Sequence, residues 1–198
     1  VVRHPEEYLA PDEVFAFLKK RAGLLDGICI TGGEPLLQPD LEDFIQQIKA
    51  MGFLVKLDTN GSFPERLKKL LQNGLIDYVA MDIKNSPEKY PETIGINTAN
   101  AGKIQAEVER SMKLIARLSP DYEFRTTAVA SLHQPKDFES IASWISQAAS
   151  PDAKYFIQCF RDSGDTIEQG LSALDEKTLE ASKNAALTHL KHVELRGI

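Results

Sequence analysis

The sequence predicts an α/β fold, a partial (β/α)6 TIM-like barrel of parallel strands, built as one domain over residues 1–198. Three observations predict it. Short, nearly unbroken apolar runs alternate with stretches of helical period, as a parallel sheet covered by helices requires. Six such runs and six helical stretches are visible, beginning on a helix, whereas a closed eight-unit barrel takes about 250 residues. No Gly/Ser linker, charge block or low-complexity tract divides the chain, and nothing repeats beyond the βα unit itself. A doubly wound open sheet is the alternative arrangement of the same units.

Residues 11–25 read as a helix with no strand before it. Residues 27–31, Gly-Ile-Cys-Ile-Thr, form a short buried strand that ends in Gly32 and Gly33. Asp40, after Pro39, caps a helix whose Leu41, Phe44, Ile45 and Ile48 share one face until Gly52 stops it. Residues 53–57 read as the second strand, closed by Asp58-Thr59-Asn60-Gly61; Pro64 then opens a helix through Leu67, Leu70 and Leu71, ended by Gly74. Residues 77–83 are the third strand. A long loop over 86–102 leads into a helix over 103–118, marked by Ile104, Val108, Met112 and Ile115. Residues 124–130 and 154–160 are the fourth and fifth strands, separated by a helix over 135–149 that turns Phe138, Ile141, Ala142 and Ile145 inward. Asp175 caps a last helix through Leu179, Ala186 and Leu190, and residues 193–196 form a short sixth strand.

Composition narrows the function. With 42% hydrophobic and 26% charged residues the chain can bury a real core, so disorder is excluded. It has no apolar run of roughly eighteen residues, and the start Val1-Val2-Arg3-His4-Pro5 lacks the pattern of a secretory signal. The expectation is a soluble, cytoplasmic protein with no membrane partner. A net charge of −6 argues against a nucleic-acid partner, and Lys19-Lys20-Arg21 reads as a solvated helix face. Two cysteines, Cys29 and Cys159, can neither build a disulfide framework nor hold zinc or an iron–sulfur cluster on thiolates alone. Both lie in apolar runs and read as buried structural thiols.

In either architecture ligands bind at the C-terminal ends of the strands, and polar residues converge there. Gly32-Gly33-Glu34-Pro35 lets the backbone approach a ligand closely and presents a carboxylate to an ammonium or hydroxyl; an ordinary tight turn explains it equally well. Asp58-Thr59-Asn60-Gly61 reads as a ligand rim or as an Asn-Gly turn. Asp82 and Lys84, two apart on a strand, point to one side, toward a ligand or into a mutual salt bridge. Arg125 joins them from the fourth strand and Arg161-Asp162 end the fifth. His133 reads as a cap for the next helix, and His189 and His192 as a surface helix C-terminus facing its dipole.

The order Gly-Gly-Glu, then Asp-Thr-Asn-Gly about 25 residues on, then Asp-x-Lys about 24 further on, resembles the radical S-adenosylmethionine family over essentially the whole chain. It is most similar to activating enzymes of glycyl-radical enzymes, of the anaerobic ribonucleoside-triphosphate reductase and pyruvate formate-lyase type. The resemblance implies S-adenosylmethionine as cofactor, with Glu34 on its amino group and Gly32 and Gly33 beside its methionyl part. Asp82, Lys84 and Arg125 would contact its carboxylate or ribose. Asp58, Thr59 and Asp82 match positions able to bind a monovalent cation. The family also implies a glycyl-radical partner enzyme, here anaerobic ribonucleotide reductase, and an electron donor; the partner would dock over the loop 86–102. Where the pyruvate formate-lyase type has a histidine after the fifth strand, Arg161 stands, so that adenosyl-side role is not carried over.

The family's CxxxCxxC motif, which binds a [4Fe–4S] cluster, is absent from this sequence. The expectation is a chain lacking its first strand and cluster loop, inactive as given, with the cluster present only in the intact protein. A cluster-free remnant that binds S-adenosylmethionine is a second reading, and a radical enzyme acting on a small substrate a third. An aldolase-like barrel with Lys84 as Schiff-base amine explains Lys84 but not Glu34 and Asp-Thr-Asn-Gly together.

Overall fold

The computed structural model describes residues 9–95, 98–162 and 170–197, with the side chains of residues 98–101 left out; the opening residues read above as an unsignalled N-terminus lie outside it. Six parallel strands form one sheet in the order of the sequence: β1 (Gly27–Ile30), β2 (Leu54–Thr59), β3 (Tyr78–Asp82), β4 (Asp121–Ala128), β5 (Lys154–Cys159) and β6 (His192–Arg196). Sequential order removes the doubly wound alternative, which needs the strand order to reverse. Among the described residues β1 and β6 are the sheet's two edges.

Among the described residues seven α-helices connect and flank the strands: α1 (Pro11–Lys19), α2 (Leu41–Ala50), α3 (Pro64–Gln72), α4 (Tyr90–Thr93), α5 (Thr98–Leu118), α6 (Pro135–Ala148) and α7 (Glu176–Ala186). They cover one face. Val55, Leu57, Val79, Met81, Phe124, Tyr155 and Ile157 point to that side and share a core with Ile45, Ile48, Leu67, Val108, Ile115, Phe138 and Ile141 of the helices. The alternate residues, Lys56, Asp58, Tyr78, Asp82, Arg125 and Gln158, remain partly exposed on the uncovered inner face. The period-2 geometry of a strand thus sorts one core from one polar surface.

Several boundaries differ from expectation, each for a physical reason. The first helix stops at Lys19 rather than running to 25: the chain turns through Gly23 at φ 77°, and Leu24 and Leu25 are exposed instead of continuing the buried face of Phe15 and Leu18. The run 27–31 is not buried, because β1 has a strand on one side only, and Cys29 is exposed rather than structural. Cys159 is half-buried. β2 continues through Asp58 and Thr59, so these are strand residues and not the turn. β4 begins at Asp121, because its first residues alternate charged with aromatic and escape a search for apolar runs. The loop 86–102 contains the single turn α4, pinned by Tyr90 packed edge-on at 5.7 Å against Trp144, and α5 starts at Thr98; residues 96–97 lie outside the described set. The earliest residues of α5 carry no apolar anchors, so periodicity could register the helix only from Ile104. His192 lies in β6 and His189 beyond α7, so they do not share a helix end.

Candidate functional site

The ends of β1 to β4 come together on one rim. Thr31, Gly32 and Gly33 border a small cleft whose other walls are Asp58, Thr59, Asn60, Asp82 and Arg125. Gly32 has φ 129°, and a Cβ added at Gly32 or Gly33 would meet no atom within 4 Å, so both glycines leave a cradle open at the cleft.

Glu34 is buried and ties the first rim segment to the second. Its Oε1 accepts from Leu36 N–H at 3.1 Å and from the Thr59 hydroxyl at 3.0 Å, and its Oε2 accepts from Asn60 N–H at 2.7 Å. A carboxylate offers about four acceptor positions, so one on Oε2 is left for a ligand donor. Thr59 donates to Glu34 and accepts from Gly61 N–H at 3.1 Å, on the helix side of β2, while Asp58 faces inward. Thr59 also borders the cleft beside Asp58 and Asp82. The described residues contain no group of three or more His, Cys, Asp or Glu side chains placed to hold a metal ion.

Across β2, β3 and β4 runs a row of five alternating charges. Lys56 donates to Asp58 at 2.5 Å, Arg125 reaches Asp58 at 3.2 Å and Asp82 at 2.9 Å, and Lys84 reaches the second oxygen of Asp82 at 2.9 Å. The register aligns Asp82 with Arg125 and places Asp58 one strand further over. Burial works against ionising Asp58, but the Lys56 hydrogen bond and then the Arg125 charge outweigh it and hold its carboxyl below the usual range. Burial likewise opposes the charge on Arg125, and Asp82 and Asp58 outweigh it. Three cations against two anions leave this row one positive charge in excess.

The mutual salt bridge considered for Asp82 and Lys84 is present, and Arg125 pairs with the same Asp82. Lys84 is ion-paired and half-exposed, not desolvated in an apolar pocket as a Schiff-base amine would be. Arg161 lies apart, donating to the Gly197 carbonyl at 3.1 Å. His133 does not cap α6, whose N-cap is Gln134; it is buried, with Nδ1 at 3.2 Å from Val129 N and Nε2 at 3.0 Å from the Lys84 carbonyl.

Sequence reading missed a second inner-face group below this row. Glu123, 3% exposed, accepts both guanidinium nitrogens of Arg196 at 2.8 Å and the Tyr78 hydroxyl at 2.8 Å, while Arg196 stacks 3.3 Å from the centre of the Phe156 ring. The signal was Glu123 two residues before Arg125 on the same strand face. It fell outside the strand as it was delimited from the apolar run.

The donor set fits a zwitterionic amino-acid group: a free carboxylate position at Glu34, cations at Arg125 and Lys84, and open space beside Gly32 and Gly33. It does not fit an iron–sulfur cluster. The two cysteines lie four strands apart, on β1 and β5, and the Cys29 thiol is pushed up, first by burial and then by Asp58, away from the thiolate a metal needs.

A model of the radical SAM superfamily matches residues 2–145. A proposed glycyl-radical enzyme activating enzyme of Methanocaldococcus jannaschii is 33% identical over 176 residues, covering 87% of this chain and 71% of that one. The GTP 3',8-cyclase of Aquifex aeolicus is 34% identical over 112 residues, 54% of this chain and 35% of its own length. The crystal structure of a domain of pyruvate-formate lyase-activating enzyme from Bacteroides vulgatus superposes with a TM-score of 0.66 at 15% identity, covering 86% of this chain and 99% of that one, a likeness of fold.

Proposed function

Since the chain belongs to the radical SAM superfamily, we propose that its rim binds S-adenosylmethionine in the service of an enzyme that activates a glycyl-radical partner. The carrying observation is the meeting at neighbouring strand ends of a buried carboxylate with one acceptor position left, Glu34, and a small cleft bordered by Gly32, Gly33 and Arg125, with Lys84 paired to the same Asp82 as Arg125. The Oε2 of Glu34 accepts from the methionyl ammonium. Arg125 and Lys84 turn part of their charge from Asp82 to the methionyl carboxylate, which balances the excess positive charge of the row. Gly32 and Gly33 let the methionyl chain lie against the backbone. When bound and reductively cleaved, S-adenosylmethionine supplies a carbon radical that removes a hydrogen atom from a partner.

Coverage supports the activating reading over a small-substrate one. The relative of that description matches through nearly the whole chain, whereas the cyclase matches about half. A glycyl-radical enzyme as partner, anaerobic ribonucleotide reductase among the class, and an external electron donor follow from that reading. The thiols of this chain build no cluster of their own.

Calorimetry with two ligands tests the site. S-adenosylmethionine binds, whereas 5′-methylthioadenosine, which has the same nucleoside and thioether but no amino-acid group, binds at least about tenfold more weakly, the loss of charge-assisted bonds to ammonium and carboxylate. Equal affinity for the two would remove the roles given to Glu34, Arg125 and Lys84.

A further inference from the structure

The third strand leaves the sheet ladder at Asp82, yet the next two peptide groups are held as firmly as any within it. Ile83 N–H donates to the Arg125 carbonyl at 2.7 Å, and the Thr126 hydroxyl donates to the Ile83 carbonyl at 2.7 Å. One residue on, the Lys84 carbonyl faces Nε2 of His133 at 3.0 Å, and the buried Tyr90 hydroxyl lies near the Lys84 backbone. These side chains come from β4, from the turn after it and from α4, and are 1%, 3% and 2% exposed in that order.

The carbonyl oxygen 3.0 Å from Nε2 favours a proton there; Nδ1 then accepts from Val129 N–H at 3.2 Å and also lies 3.3 Å from the Val129 carbonyl. Both ring nitrogens are thus satisfied in the neutral imidazole. Burial, which holds the His133 pKa below its usual value, keeps that form. The ring also packs 5.3 Å from Phe138, and Asn85 beside Lys84 donates to the Leu132 carbonyl at 3.2 Å, so the segments after β3 and β4 interlock.

Nothing in the sheet needs residue 84 fixed, since it lies beyond the last register pair of β3 and β4, Asp82 with Arg125. What the fixing does is set the Cα from which the Lys84 side chain reaches Asp82 at 2.9 Å. We propose that His133 is a positioning residue of the candidate site, holding the Lys84 carbonyl so that the Lys84 ammonium stays directed at Asp82 and at the bound amino-acid group. The second half of that statement rests on the site reading above; the first half does not.

Two substitutions separate the two ring nitrogens. His133→Asn places an amide oxygen near Nδ1 and can still accept from Val129, but falls short of Lys84. His133→Gln places an amide NH2 near Nε2 and can still donate to Lys84. Thermal melts establish that both variants are folded. The first readout is the 13C-dimethyl-lysine NMR signal of Lys84, assigned by its loss in Lys84→Arg. It moves to the position of free surface lysines in His133→Asn and stays in place in His133→Gln.

The second readout is calorimetric affinity for S-adenosylmethionine. It falls by about five- to tenfold in His133→Asn and in Lys84→Ala, is preserved within about twofold in His133→Gln, and the two losses do not add in the double variant. An unmoved Lys84 signal in folded His133→Asn, or equal changes in the Asn and Gln variants, overturns the proposal in favour of a role in the fold alone. If Lys84→Ala keeps full affinity while the Lys84 signal still responds to His133→Asn, the site reading fails and the hold on Lys84 stands.

Discussion

Replacing Glu34 by glutamine is the smallest change that should damage the rim. The side chain keeps its shape and loses its charge, and one of its two oxygens becomes an NH2 group. In the better orientation the remaining oxygen keeps Leu36 N–H and the Thr59 hydroxyl, and the new NH2 confronts Asn60 N–H across the 2.7 Å now spanned by a hydrogen bond. Flipped, it keeps Asn60 and strands Leu36 N–H, while the Thr59 hydroxyl can turn to accept from the new NH2. Glu34 is 8% exposed, so water has little access to the stranded donor. A lost hydrogen bond to a charged group with its donor left unsatisfied costs about 2 kcal/mol, and for a chain of this size each kcal/mol lowers Tm by about 2–4 °C. Melting followed by far-UV circular dichroism should therefore show Glu34→Gln about 4–8 °C below the native protein, with faster amide exchange at Asn60. A Tm within about 1 °C of the native value, with Asn60 exchange unchanged, would refute the idea that this carboxylate joins the two rim segments.

The lower inner-face group predicts a pH effect. Burial raises the Glu123 carboxyl, but the hydrogen bonds of Arg196 and then of Tyr78 outweigh it and hold it below its usual value. Its contribution to stability is complete above the unfolded carboxylate pKa and is lost as pH falls through the lowered folded value. Arg196→Ala, which strands the buried carboxylate, should cost about 2–3 kcal/mol near neutrality and less as pH falls and Glu123 takes up a proton, so the Tm gap to the native protein narrows in acid; a gap that stays constant with pH would count against the pairing. Anaerobic treatment of the chain with iron and sulfide should give no stoichiometric cubane by absorbance and EPR, while Cys29 reacts with an alkylating reagent faster than Cys159. A full complement of cluster would contradict the mismatch seen in the thiols.

The alternation of buried strands and amphipathic helices was readable because each helix must bury one stripe and each interior strand both neighbours, and that leaves a periodic trace in the apolar residues. The gathering of charge at the rim was readable for a different reason: Glu34, Asp82, Lys84 and Arg125 are charged residues at strand ends, which an apolar core cannot hold. What stayed hidden had no periodic trace. Cys29 looked buried because its apolar neighbours did, and only the sheet order reveals that β1 has one partner. Glu123 was invisible because a charge buried by a distant arginine cannot be told from a solvated one without knowing that β4 and β6 lie near each other. The role of His133 depends on two loops meeting, a contact between residues 49 apart that no local pattern encodes.

Because every strand is bonded only to its neighbours in sequence, the sheet can open from either side, and the two sides are unequally guarded. The C-terminal side carries a tie that skips a strand: Arg196 on β6 clasps Glu123 on β4 over the Phe156 ring of β5, so β6 cannot peel away without also uncovering a buried carboxylate. At β1 the inner-face polar contact is the weak approach of the Lys56 ammonium to the Cys29 sulfur at 3.9 Å. Among the described residues, sub-global opening should therefore begin at β1, the strand that leads directly into Gly32, Gly33 and Glu34. The rim segment to which we assign the amino-acid group thus lies on that less protected side. A ligand that joins the β1 end to Arg125 on β4 would close that side and stabilise the fold as it binds.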